Sequence, residues 1–478
     1  MSTPPLLAPP ARHLVGRFSY GVTPALARDV ERAGGAPAWF EQQLTPEAVA
    51  DPETDELVSW WPALSADPAM LWQLQILALQ GSWQVMADYQ RWVLLRRMRS
   101  RRQLFEVMAE FWENHLNVPA IGDTHFVHRT AYGLELRKHA LGRFDDLLHA
   151  AVTHPAMLLY LDNNLSTATH PNENLGRELL ELHTVGRGHY TEEDVRNSAR
   201  ILTGWSVERP PTWAPVYKAS AHWRGPVRVM GFRDANAAKD GRALTRRYLT
   251  YLAHHPATAQ RVAGRLATKF VRDDPPRALV AELAQVYLDN DTAIAPVLRA
   301  LVASKAFAGA VGSKVRDPGE DLVASYRALD VKVLRPATEE SAANALLSQV
   351  SRIGTVPFGW PQPDGQPIDN DSWANPSRLL ASMQTHRALS GGWSPREGAS
   401  FRTWRSWLPE VPIRFDQLVD HLAHHLLHRR SSPRLLKACC QAVSIRSDEV
   451  ITGSHPLVRS QMPDLLATFL DSPEFLTR

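Results

Sequence analysis

Apolar residues return at helical spacing through most of the chain, and that period confines it to a helical fold. Residues 68–117 show it plainly, with Leu71, Trp72, Leu74 and Leu77, then Trp92, Leu94 and Leu95, then Leu104, Phe105, Val107, Met108, Phe111 and Trp112. The same period runs through 127–151, 171–184, 192–203, 241–270, 276–290, 292–307, 319–329, 414–428, 432–443 and 456–471. Thr191 with Asp194 three residues on predicts a capping box, and Asp291 or Thr292 is placed to cap the helix running to Phe307. The expected fold is all-α: one large multi-helix domain over 1–478, with long Pro/Trp-rich loops and at most a small β-hairpin.

Two regions depart from the period. Residues 204–240 are dense in Pro and Gly and read as an irregular insertion. Residues 354–412 read as irregular loops carrying Trp360, Trp373, Trp393, Trp404 and Trp407, with a C-terminal helical subregion at 413–478. Long irregular segments in a helical protein are often functional. Three segments, 147–161, 298–307 and 465–475, resemble one another as amphipathic helices ending on a shared stop device.

A net charge of +3 on 478 residues leaves no overall nucleic-acid footprint. No apolar run reaches the roughly 18 residues that a membrane span needs. The chain opens without a basic start and apolar h-region, so a cytoplasmic location is expected. The 2 cysteines, Cys439 and Cys440, are adjacent and cannot staple distant elements, so any metal would be held by nitrogen and oxygen ligands. Phosphate-loop, dinucleotide-fold and serine-hydrolase motifs do not occur in the sequence.

Several segments together resemble one family. Phe111-Trp112-Glu113-Asn114-His115 resembles the "LFWHNHF" signature of the DUF1800 family, a bacterial domain of unknown function. Pro155–Asp162 resembles its "PAMLxYLD", Pro171–Gly186 its "PNENYARELMELFTLG", and Tyr190–Trp205 its "YTExDVxxxARxLTGW". Arg137–Phe144, Gly359-Trp360-Pro361 and Trp373-Ala374-Asn375 match further elements in order, from about residue 11 to the C-terminus. Departures fall at Glu113, where the family has His, at His183, where it has Phe, and at His222-Trp223, where it has His-Asp. The resemblance implies the fold. It also implies a partner, because relatives are often encoded beside a protein resembling phosphatases and sulfatases. Many relatives look exported.

The sharpest chemical candidate is the helix at 171–184. Asn174, Glu178 and Glu181 share one face at i, i+4 and i+7, Glu173 and Arg177 are one turn apart, and Leu175, Leu179 and Leu182 define the buried side. Helix bundles build metal sites from carboxylates on one helix and a His from a neighbour. His115 is the favoured partner and His183 the second. The expected metal ligands are Glu178, Glu181 and His115, with Glu173 and Arg177 in support. Asn174, His183, Trp205 and Trp360 would contact a cofactor or small-molecule substrate. The cofactor would be a transition metal (iron, manganese or copper) or haem, and the expected class of enzyme is an oxidoreductase. Two alternatives stand beside this: a metal-independent acid–base enzyme using Glu178 and His115, and a non-catalytic partner of the co-encoded protein. The same polar residues also suit a structural role, since Asn172 can cap the helix and Arg177 can pair with Glu173 or Glu181.

Nine of the 19 histidines fall between His115 and His189, and His125 with His128 has metal-ligand spacing, weak evidence when alone. His421, His424, His425 and His428 lie on one helix face and read as a solvated polar face. Arg91, Arg96, Arg97, Arg99, Arg101 and Arg102 read as a solvated or acid-docking face.

Overall fold

The computed structural model describes residues 5–122 and 125–478. It is mainly helical, and buried apolar side chains from Leu14 to Phe475 form one connected cluster. Among the described residues no helix is long and apolar enough to cross a membrane.

The helices follow the predicted runs but are more finely divided. Residues 68–117 become Pro68–Ile76, Ser82–Arg99 and Gln103–His115, while 241–270 becomes Arg242–Ala253 and Pro256–Phe270. One local device makes many of the starts. In Asp67-Pro68, His154-Pro155, His255-Pro256, Asp317-Pro318, Asn375-Pro376 and Ser432-Pro433, the first side chain accepts a backbone N–H of the new helix. Proline fills the first helical turn, where no N–H is needed. Two of these caps are imidazoles, so part of the His and Pro excess is structural. The three similar segments share the stop-and-restart only in part: His154 caps with its side chain before Pro155, Ser304 caps without a following Pro, and Ser472 precedes Pro473 without a side-chain cap. Thr191 and Asp194 form the expected capping box. Neither Asp291 nor Thr292 caps Ile294–Ala303: Ala293 holds the cap position, and the Thr292 hydroxyl instead accepts from the Asp145 N–H at 3.2 Å.

The insertion 204–240 holds two antiparallel hairpins rather than one, Trp205–Val207 with Pro215–Tyr217 and Val227–Val229 with Phe232–Asp234. Two-residue pairs also join Lys332–Val333 to Ala399–Ser400 and Ile413–Arg414 to Val450–Ile451. Strands of two or three residues are too short for an alternating pattern to declare itself. Between Ile353 and Pro376 the chain has neither helix nor strand, as expected, but the stretch 354–412 read as irregular also contains a helix, Pro376–Ser390, capped by Asn375.

The helix Gln103–His115 lies in the core with only Phe105 outside the buried set. It carries three buried glutamates one turn apart, each matched from a neighbouring element. Glu106 binds Arg137 at 2.6 Å and Arg96 at 2.9 Å, and Glu110 binds Arg97 at 3.2 Å and accepts from the Tyr20 hydroxyl at 2.5 Å. Glu113 binds Arg129 at 2.7 Å and accepts from the Tyr89 hydroxyl at 2.9 Å. A buried carboxylate needs such partners. Burial alone would raise the Glu106 carboxyl, but Arg137 and Arg96 outweigh it and hold its pKa below the usual range.

This corrects the reading of the arginine run as a solvated or acid-docking face. Arg96 and Arg97 neutralise core glutamates, Arg91 pairs with Asp88, Arg99 with Glu56, and Arg102 donates to the Val49 carbonyl. Arg101 alone of the six is exposed, and it pairs with Asp29. The face His421–His428 is also corrected. His425 is buried within Phe415–Leu426, and His428, past the end of that helix at φ +50°, is buried as well.

Candidate functional site

The predicted helix at 171–184 begins as an α-helix, Glu173–Glu178, and continues as a π-helical turn, Leu179–His183. Asn172 caps it by accepting from the Asn174 N–H at 2.9 Å. Gly176 lets it lie against Glu192–Leu202, since a Cβ there would come 2.9 Å from the Ala199 nitrogen. The wider turn changes the buried side: Leu175, Leu179 and Leu180 are buried, whereas Leu182 is only half-buried. π-turns are frequent at functional sites.

The loop 354–377 packs over this region. The Tyr160 hydroxyl donates to the Pro361 carbonyl at 2.8 Å, and the Asn117 amide donates to the Trp360 and Gln362 carbonyls at 3.0 and 2.7 Å. Gly365, at φ +75°, sits so close to the Asn114 carbonyl that a Cβ would meet its oxygen at 1.9 Å. Trp360 Nε1 donates to the Asp364 carboxylate at 3.1 Å.

Most of the polar residues of the signature helix are engaged locally. Arg177 pairs with Glu192 at 2.7 Å and Glu173 at 3.4 Å, and not with Glu181. Glu181 pairs with Arg187 at 2.5 Å and accepts from the Tyr190 hydroxyl at 2.7 Å, which holds its carboxyl below the usual range. Glu178 differs. It is half-buried and makes no hydrogen bond or ion pair among the described residues. Burial, then Glu181, then the exposed Asp364 raise its proton affinity against the pull of Arg177 and Arg187. Glu178 and Asp364 in turn add to the burial that raises the Tyr160 phenol. Arg265 is linked to Asp364 through its charge: its Nε is buried without a partner, and burial and Arg261 push its guanidinium down to about 10, against the pull of Asp364. Asp364, Tyr160 and Arg265 were not singled out from the sequence, and no local spacing ties them to the helix.

His115 and His183 meet each other rather than the carboxylates. His115 Nε2 donates to the His183 carbonyl at 3.1 Å, and His183 Nδ1 donates to the His115 carbonyl at 3.0 Å. Burial holds both rings neutral, His115 well below its ordinary value and His183 at about 4, with Arg261 and Arg265 adding to the effect. The expected ligand set of Glu178, Glu181 and His115 therefore does not assemble. Among the described residues no group of three or more His, Cys, Asp or Glu side chains is arranged to hold a metal ion. The pair His125 and His128 is divided as well, each ring donating to a backbone carbonyl, of Pro119 at 2.7 Å and of Trp213 at 2.8 Å. Trp205 anchors its hairpin by donating to the Thr245 hydroxyl at 3.1 Å and sits outside the Glu178 cluster, whereas Trp360 is joined to it through Asp364. Asn174 is half-buried at the start of the helix, and its backbone N–H serves the cap.

The family model described as a protein of unknown function, DUF1800, matches residues 13–477. No curated protein and no solved structure matches the chain.

Proposed function

Because the chain belongs to the DUF1800 family, described as a protein of unknown function, its role has to be argued from its own side chains, and we propose that it is a metal-independent acid–base enzyme acting on a small polar molecule. Glu178 carries the reading. It is the carboxylate of the signature helix left without a partner, half-buried, beside two further carboxylates that raise its proton affinity. A carboxyl with raised proton affinity is suited to act as a general acid or base. Arg265, with a buried unpaired Nε, supplies a donor for developing negative charge. His115, locked to His183 inside the core, has no part in this version of the site.

The test is depletion of components from a small-molecule extract by untagged full-length protein. The wild type consumes at least one component, and Glu178→Gln, with unchanged melting, does not. Equal consumption by both would refute the role of Glu178. A stoichiometric transition metal or a haem band in the purified protein, lost in Glu178→Ala, would replace this reading with the metal-dependent one.

A separate observation favours a partner role alongside catalysis. Met70, Ile76, Leu77, Leu79 and Trp83 stand 50–69% exposed on one short stretch, and apolar side chains grouped in this way mark interaction sites. Co-purification with the neighbouring phosphatase/sulfatase-like protein, abolished by Leu79→Ser with Trp83→Ser, is the expected result. Retention of the complex by that variant would count against it.

A further inference from the structure

A second site lies away from Glu178, where the first helix, Pro9–Arg17, meets the segment before Pro318–Ala328, the end of Phe415–Leu426 and the last residues of the chain. A cavity of about 400 Å³ opens there. That size is within the range of small-molecule sites. Its lining is rich in arginine: Arg12, Arg316, Arg429 and Arg478 face a single acidic side chain, Glu474, with the imidazoles of His13 and His428 beside them. Arg478 is neutralised by Glu320 at 2.5 Å. Arg12, Arg316 and Arg429 form no ion pair among the described residues.

The polar atoms of this lining are unusually unsatisfied. His428 is 0% exposed, and neither ring nitrogen has a hydrogen-bond partner. Arg316 gives its Nε to the Phe475 carbonyl at 2.8 Å and keeps a buried Nη1 without one. His13 donates from Nε2 to the Phe307 carbonyl at 2.8 Å and leaves Nδ1 bare, and Arg478 Nε is also unpartnered. Buried donors left in this state cost stability unless something fills them. Burial, His425 and Arg12 push the His428 imidazole down to about 3, so it is a neutral ring with one nitrogen able to donate.

We propose that this cavity binds a small molecule through a tetrahedral oxyanion, a phosphate or sulfate group. Guanidinium groups arriving from separate elements suit an anion with oxygens in several directions, and arginine is the side chain that best matches such groups. The cavity exceeds one anion, and Val22, Leu426 and Leu427 line the remainder for an apolar body.

Titration calorimetry on the full-length protein tests this, with inorganic phosphate and inorganic sulfate as probes and acetate and chloride as controls at matched ionic strength. The expected result is saturable binding of one phosphate or sulfate per chain. In the double variant Arg12→Gln with Arg429→Gln, which removes the two partly exposed arginines, binding weakens about tenfold or more. Arg209→Gln, on the exposed tip of the first hairpin, leaves it unchanged. ¹⁵N-histidine spectra of the wild type give a readout independent of variant folding, because phosphate should shift the ring nitrogens of the buried His428. Absence of saturable heat with both anions, equal affinity in the double variant, or an unmoved His428 resonance would each overturn the proposal.

Discussion

His386 gives the most quantitative expectation. It is fully enclosed, its Nε2 3.1 Å from Asp321 and its Nδ1 2.7 Å from Asp471. Burial alone would push the imidazole down, but the two carboxylates reverse that and raise it from 6.5 to about 9. Folded, the ring keeps its proton up to about pH 9, and unfolded it releases it near 6.5. The stabilisation is therefore complete below pH 6.5 and is lost as pH rises through 9. The shift corresponds to about 3 kcal/mol, falling at roughly 1.4 kcal/mol per pH unit within the window. A chain of this length unfolds with an entropy of about 1 kcal/mol/K, so the loss appears as roughly 3 °C in melting temperature. Thermal melts followed by far-UV circular dichroism from pH 6 to 9.5 measure it, with His386→Gln as the comparison. The wild type should lose its advantage over the variant across the window. Parallel curves for the two proteins would show that His386 is not charged in the fold.

Two further outcomes follow from the core and the loop. Glu106→Gln leaves Arg137 and Arg96 without their shared carboxylate in the interior, which should cost about 3–5 kcal/mol and lower the melting temperature by roughly the same number of degrees; a drop below about 1 °C would mean the pair contributes little. Gly365→Ala drives a Cβ into the Asn114 carbonyl at a positive φ, so the loop 354–377 should lift and become the first site cut in limited proteolysis. An unchanged cleavage pattern would show that the loop is held elsewhere.

The helices were legible because their apolar period is set by burial on one side, and because caps such as Thr191 with Asp194 are read locally. What escaped were charges used inside. Glu106, Glu110 and Glu113 fall on a helix that otherwise reads as apolar, and their partners lie on other elements, so no spacing rule connects Glu106 to Arg137. The same holds at the candidate site. Glu178 was visible as one of a row of polar residues, but its distinction from Glu173 and Glu181 depends on which neighbours Arg177, Arg187 and Tyr190 choose. Asp364 sits in a Pro-rich loop with no period at all. The grouping of Glu178, Glu181 and His115 was missed on orientation: His115 faces the backbone of His183 rather than the carboxylates, and the π-turn that carries His183 has no sequence signature strong enough to foresee.

The buried charges divide by how far apart in the chain their partners are made. Glu106, Glu110 and Glu113 find Arg96, Arg97, Arg129 and Arg137 within a few tens of residues on either side. Glu320 and Asp321 depend on Lys269, Arg378, His386 and, last of all, Arg478. During synthesis, from the N-terminus onward, the first set can be neutralised while most of the protein is still unmade. The second is built in stages, from Lys269 through Arg378 and His386 to Arg478. The N-terminal half can thus close its electrostatics early, whereas Glu320, paired at once with Lys269, gains its second cation only when Arg478 has been made.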